Sequence, residues 1–143
     1  PPTRPGMQFV VRIDYAENRE IGRQTIELDI TPGSITQELS TARTFLLKQE
    51  ADWLLSQGLG TRVRPQDVIV FDDNGPIDNE LRFEDECVRH KAIDLVGDLA
   101  LAGCDLHGKF TAFCSGHRLN AELVKALLAE GQLLETSDVR RSA

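Results

Sequence analysis

Two runs near the start of the chain alternate apolar and polar residues with a period of two. In MQFVVRIDY (7–15), Phe9, Val11 and Ile13 share one face, and in RQTIELDIT (23–31), Ile26, Leu28 and Ile30 do the same. AENREIG supplies polar turn residues and a glycine between them, so the spacing predicts an antiparallel hairpin that stops at Pro32 and Gly33. The period then changes. From Ser34, an N-cap by residue type, apolar residues recur at Ile35, Leu39, Ala42 and Phe45 with helical spacing. Thr41 and Thr44 weaken the middle of that run, which predicts a break near Leu47 and a shorter helix from about Glu50 to Gly58. TRVRP reads as a loop, DVIVFD as a short strand and DNGP as a turn.

The clearest helical pattern follows, over roughly residues 84 to 102, with Gly103 as its stop. With Val88 set at zero and about 100° per residue, Ala92, Leu95, Val96 and Leu99 fall within about 80° of it. KFTAFC alternates as a strand with Phe110, Ala112 and Cys114 on one side. A last helix in LNAELVKALLAEG is expected to turn Leu119, Leu123 and Leu127 inward. Long helices with mostly antiparallel strands predict an α+β two-layer sandwich, its helices on one face of the sheet. Residues 1–7 read as a linker or fragment start, 8–130 as one domain and 131–143 as a flexible tail. The chain opens PPTRPG without Met, as a piece of something longer would.

Composition narrows the function. At 143 residues, 41% hydrophobic and 27% charged, the chain is an ordinary globular domain, and its net charge of -7 argues against nucleic acid or an anionic membrane as a partner, although a local basic patch could still bind an anion. No apolar run is long enough for a transmembrane segment and no signal peptide is evident, so a cytoplasmic location is expected. The three cysteines show no C-x-x-C spacing, which suits a reducing compartment. Arg62 and Arg64, flanking Val63, could receive a phosphate or simply be exposed.

Only three histidines are present, and one stands inside the clearest helix. His90 lies at about 200° from Val88 and Asp94 at about 240°, on a polar face away from the apolar stripe. An i, i+4 pair brings side chains to within about 6 Å at Cβ, close enough for one metal ion to hold both, or for an ordinary surface hydrogen bond. Zinc takes neutral imidazole and carboxylate, but catalytic sites use three protein ligands, so two are one short. His117 stands between a strand and a helix and could ligate or transfer a proton. Asp98, one turn further along the polar face, reads as a supporting or solvated group, and Cys87 as a small buried hydrophobe.

LRFEDECVRHKAIDLVGDLALAG (81–103), with SGHRLNAELVKALL (115–128), resembles the second, C-terminal domain of bacterial UDP-3-O-acyl-N-acetylglucosamine deacetylases, zinc amidases of lipid A synthesis. TARTF (41–45) and SQGLG (56–60) extend the likeness in the same order. The resemblance implies two similar α+β domains with the active site between them, and here a small βαβ insert. It implies His90 and Asp94 as zinc ligands, His117 as the protonated histidine that stabilises the oxyanion and helps the amine leave, Lys91 beside the oxyanion or the substrate's polar head, and Thr44 bordering the sugar. The remaining histidine ligand and the glutamate that activates water belong to the family's first domain, and His107 matches no family ligand.

The expected partners are therefore a UDP-linked acylated amino sugar and the missing first domain, in cis or as a second chain. Two family features depart: Arg62, Val63 and Arg64 replace GGS, and TFLL replaces TFGF. Lys48 and Ala51 stand where bulkier apolar residues would wall the acyl passage. The expected activity is zinc-dependent hydrolysis of the N-acetyl group, with this chain supplying half the site and inactive by itself. The alternative is a non-catalytic metal- or nucleotide-sugar-binding or regulatory domain derived from that enzyme.

Overall fold

The computed structural model describes residues 6–64 and 66–131. The linker and tail expected at the two ends lie outside these residues apart from Gly6, Met7 and Gly131. Strands β1 (Met7–Tyr15) and β2 (Gly22–Ile30) form the expected antiparallel hairpin, with Phe9 opposite Leu28 and Val11 opposite Ile26. Its turn is held by Asn18, whose Oδ1 accepts from the N–H groups of Glu20 and Ile21 and whose Nδ2 donates to the Asp72 carbonyl.

Thr31, rather than Ser34, caps the next element. Its Oγ1 accepts from the Ser34 N–H while the Ser34 hydroxyl accepts from the Thr31 N–H, a reciprocal capping box. The helical turn α1 (Pro32–Ser34) runs into a single π-helical turn, Ile35–Leu39, that buries Leu39 completely. The expected helix through Phe45 does not form. Arg43 is drawn into a buried carboxylate, and Thr44–Leu47 becomes strand β3, paired in parallel with β4 (Val68–Asp72). A β-branched and an aromatic residue begin that stretch, and the ladder satisfies their backbone groups better than an isolated helical turn would.

Helix α2 (Lys48–Ser56) links β3 to β4, so the small βαβ unit is present, and β5 (Gly75–Pro76) pairs antiparallel with β4. Helix α3 (Glu86–Ala100) then crosses the molecule, and β6 (Gly108–Phe113) adds to β1 in parallel, Phe9 opposite Phe110. The architecture is α+β, with two mixed three-stranded sheets and helices packed against them. Cys114 does not continue the β6 face: its φ of 46° turns the chain, and the thiol is exposed.

Helix α3 is the centre of the fold. Val88, Ala92, Leu95 and Leu99 are almost fully buried with Phe9, Val11 and Ile13 of β1 in one apolar cluster, as the stripe predicted. Helix α4 (His117–Glu130) packs on α3, but not through the expected face. Asn120 and Val124 are buried and Leu127 touches the core, whereas Leu119 is 48% exposed and Leu123 is also exposed. The reason is polar: the first turn of α4 is bound to α3 through Asp98, which sets the helix's rotation.

Leu95→Ala should destabilise the chain by about 2–5 kcal/mol, because a filled core position becomes a cavity. Leu119→Ala should cost under about 1 kcal/mol. Urea unfolding of both variants checks the order, and a reversed order would mean that Leu119 faces inward.

Candidate active site on helix α3

Residues 79–86, 40–44 and helix α3 meet at one buried ion pair. Glu86, fully buried at the start of α3, accepts from Arg43 Nε at 2.9 Å and from Arg43 Nη2 at 3.0 Å. It also accepts from the backbone N–H groups of Arg43 and Arg82, at 3.0 and 2.7 Å. Arg43 completes its fork on Asn79 Oδ1 and the Glu80 carbonyl. Burial pushes the Glu86 carboxyl up, yet the Arg43 hydrogen bond, the two backbone N–H groups and the Arg43 charge together bring it below its ordinary value.

The next residue after Arg43 reaches the site. Thr44 Oγ1 lies 2.6 Å from His90 Nε2, and Asp94 Oδ1 lies 3.4 Å from the same nitrogen. Lys91 Nζ is 3.6 Å from Asp94 Oδ2 and 5.8 Å from the centre of the Phe45 ring. The structure thus brings Thr44, His90, Lys91 and Asp94 together. His90 and Asp94 are mostly buried, and His90 sits edge-on to Phe45, its centroid 6.4 Å away. This is not a solvated surface pair. Desolvation holds the His90 pKa below 6.5, aided by the charges of Lys91 and His117 and opposed by Asp94 and the Ala42 backbone. A neutral imidazole is the form that ligates a metal.

His117 opens α4 beside the same helix. Its Nδ1 is 2.9 and 3.1 Å from the two Asp98 carboxylate oxygens, and Asn120 Nδ2 donates to Asp98 at 2.8 Å. Since a carboxylate only accepts, Nδ1 carries the hydrogen and Nε2 is left to exchange a proton with whatever faces it. The ring is 73% exposed, so its working edge is open. His107 takes no part: its Nδ1 accepts from the Gly6 N–H at 2.7 Å. Burial raises the Cys87 thiol to about 12, which keeps it protonated and unfit as a ligand.

Imidazole nitrogen and carboxylate oxygen converging on one point fit two corners of a zinc site. Among the described residues, no three His, Cys, Asp or Glu side chains group as a metal would need. The His90 Nδ1 is buried, so Nε2, beside Thr44 and Asp94, is the nitrogen with access to a ligand.

Residues 1–129 match the family described as LpxC, UDP-3-O-acyl N-acetylglycosamine deacetylase. The chain belongs to that family. Over 132 residues it is 44% identical to the UDP-3-O-acyl-N-acetylglucosamine deacetylases of Brucella ovis, Brucella canis and Brucella melitensis. The alignment covers 91% of this chain and 46% of each relative, so this family member spans about half their length. Among its described residues, no helix is long and apolar enough to cross a membrane.

Residue-type reasoning missed Arg43 and Glu86, since Glu86 ends the acidic run Glu84-Asp85-Glu86 and nothing in the local pattern singles it out. It also missed the Asp98–Asn120 clamp, for which the i, i+3 spacing of His117 and Asn120 was the cue.

Glu86→Gln should destabilise the chain by about 3–5 kcal/mol, since it leaves the Arg43 cation buried without its counter-charge. The linkage has a defined sign. Because the folded Glu86 pKa is lowered, its contribution is complete above the ordinary glutamate value of about 4.5 and fades as pH falls toward the lower folded value. Urea midpoints of the two proteins should therefore converge below that pH, and a constant gap would contradict the pairing.

Proposed function

We propose that this chain is the C-terminal domain of a UDP-3-O-acyl-N-acetylglucosamine deacetylase and supplies half of its active site. The reading rests chiefly on the convergence of Asp94 Oδ1 and Thr44 Oγ1 on His90 Nε2, within a chain matching about half of each deacetylase. His90 and Asp94 would hold a zinc ion, and the first domain, in cis or as a partner chain, would complete its ligands and provide the base. Bound there, zinc would supply Lewis-acid chemistry at the N-acetyl carbonyl.

The residues of this chain do the rest of their half. Thr44, whose hydroxyl lies 2.6 Å from His90 Nε2, would border the sugar once that nitrogen is engaged by a metal. Lys91, held by Asp94 beside Phe45, presents a cation to the polar head or the oxyanion. His117, fixed through Nδ1 by Asp98, directs Nε2 outward; as imidazolium it faces the charge growing on the carbonyl oxygen and passes a proton to the leaving amine. Free Cys87, Cys104 and Cys114 suit a reducing cytoplasm. Lys48, paired with Asp52 at 2.6 Å on the α2 surface, and Ala51 give the acyl passage a different wall and hence an altered chain-length preference.

A second reading is a non-catalytic nucleotide-sugar- or metal-binding domain derived from that enzyme. Its support is the absence of a three-ligand group among the described residues. Two experiments separate the readings. Calorimetric titration of the chain alone should give weak zinc binding that disappears in His90→Ala, while nanomolar binding indifferent to that change would reject the ligand assignment. Acetate release from the UDP-sugar should be absent for the chain alone and appear when the remaining half of the relatives' length is joined to it. A joined protein that binds the nucleotide sugar without releasing acetate would favour the second reading.

In the active assembly, His117→Ala should lower kcat about 100- to 1000-fold with metal retained. Asp94→Ala should lose zinc and recover partly as zinc is raised. Zinc titration of activity with metal content measured alongside checks this division, and zinc rescue of a metal-depleted His117→Ala would overturn it.

A further inference from the structure

Asn120 is 3% exposed in the first turn of α4, on the face that carries Val124 and Leu127 to the core. A buried amide gives up its water, a cost that its new hydrogen bonds do little more than balance. An apolar residue at this position would keep the same face inward without that cost, so packing alone does not call for an asparagine. What the amide touches is the group behind His117. Asn120 Nδ2 donates to Asp98 Oδ2 at 2.8 Å, and the same oxygen lies 2.9 Å from His117 Nδ1, with Oδ1 at 3.1 Å. The imidazole N–H therefore points between the two oxygens of one carboxylate, and its direction depends on the plane of that carboxylate. Rotation about the last bond of an aspartate side chain is soft, so the plane must be set from outside. His117 is 73% exposed, and little packing holds its ring.

We propose that Asn120 is a positioning residue for the proton transfer at His117. This rests on the role given to His117 above. From the buried side, Asn120 holds Oδ2 and with it the plane of the Asp98 carboxylate. The carboxylate keeps a hydrogen on His117 Nδ1, and Nε2 alone is left to exchange a proton with the substrate. When the imidazolium gives its Nε2 proton to the leaving amine, the electron pair of that N–H bond stays on Nε2 and the ring returns to the Nδ1–H form. Without Asn120 the carboxylate turns toward water, and the neutral ring divides between its two tautomers as a free histidine does. The Nε2–H tautomer presents no lone pair at the working edge. Asn120 touches neither substrate nor metal in this scheme; it acts through Asp98.

The test is Asn120→Leu, with Asn120→Ala as the variant that cannot overpack the core. Long-range proton–nitrogen NMR of the full chain, with the ring neutral, should show His117 in the Nδ1–H form alone. In the folded variants the Nε2–H form should appear, while the urea midpoint of Asn120→Leu stays near that of the unaltered chain. In the active assembly kcat should fall about 10- to 100-fold with KM and zinc content unchanged. Adding Asn120→Leu to His117→Ala should cost little more, because the group it positions is gone. An unchanged His117 tautomer in a folded variant overturns the proposal. So does unfolding of both variants, which would give Asn120 a structural role only, and so do losses that multiply in the double variant. An assembly without turnover would instead count against the deacetylase reading, and the His117 tautomer in the chain alone would still decide the role of Asn120.

Discussion

The buried pair of Arg43 and Glu86 joins the three stretches on which the site depends. One carboxylate receives the guanidinium and two backbone N–H groups, so each of its oxygens is satisfied inside the protein. Such a pair adds little net stability compared with well-packed apolar residues, because desolvating both charges is expensive. What it provides here is placement. Glu86 belongs to the first turn of α3, one turn before His90, while Arg43 is followed directly by Thr44. Binding one to the other sets the start of β3 against the polar flank of α3, and Thr44 then meets His90.

The same economy of position governs the other end of the site. Asp98 stands one turn beyond Asp94 on α3 and receives both His117 and Asn120 from the first turn of α4. The helix is thereby rotated so that Val124 and Leu127 follow Asn120 into the core, and Leu119 and Leu123 are left outside. Two polar contacts thus decide a packing face that hydrophobicity alone leaves ambiguous, since Leu119 and Leu123 stand at helical spacing from Leu127 just as Asn120 and Val124 do. His117 remains open to solvent, as half of a shared site would require, and the chain spans about half the length of its relatives.

The hairpin and the stripe of α3 were legible because period-two and helical patterns there are long and uninterrupted. Residues 34–47 were not, because Ile35, Leu39, Ala42 and Phe45 satisfy a helical template while a partner distant in sequence, Glu86, extracts Arg43 from it. Local spacing carries no information about that partner. The grouping of His90, Lys91 and Asp94 was readable from one helix; Thr44 entered only through the family resemblance, and its contact with His90 required the fold. The i, i+4 spacing left both a metal pair and a surface hydrogen bond open. Burial of both side chains and the desolvated imidazole argue against the second.

The dependence of the site on the buried pair is tested most directly at His90 itself, by long-range proton–nitrogen NMR of its imidazole across a pH titration. Arg43→Lys keeps a cation beside Glu86 but removes the fork that secures Asn79 and the Glu80 carbonyl. In the unaltered chain His90 should titrate below 6.5 with a single neutral tautomer. In Arg43→Lys, with the chain still folded by circular dichroism, the midpoint should rise toward the ordinary histidine value as β3 loosens and water enters. An unchanged His90 midpoint and tautomer in a folded Arg43→Lys protein would contradict the claim that this ion pair positions the site.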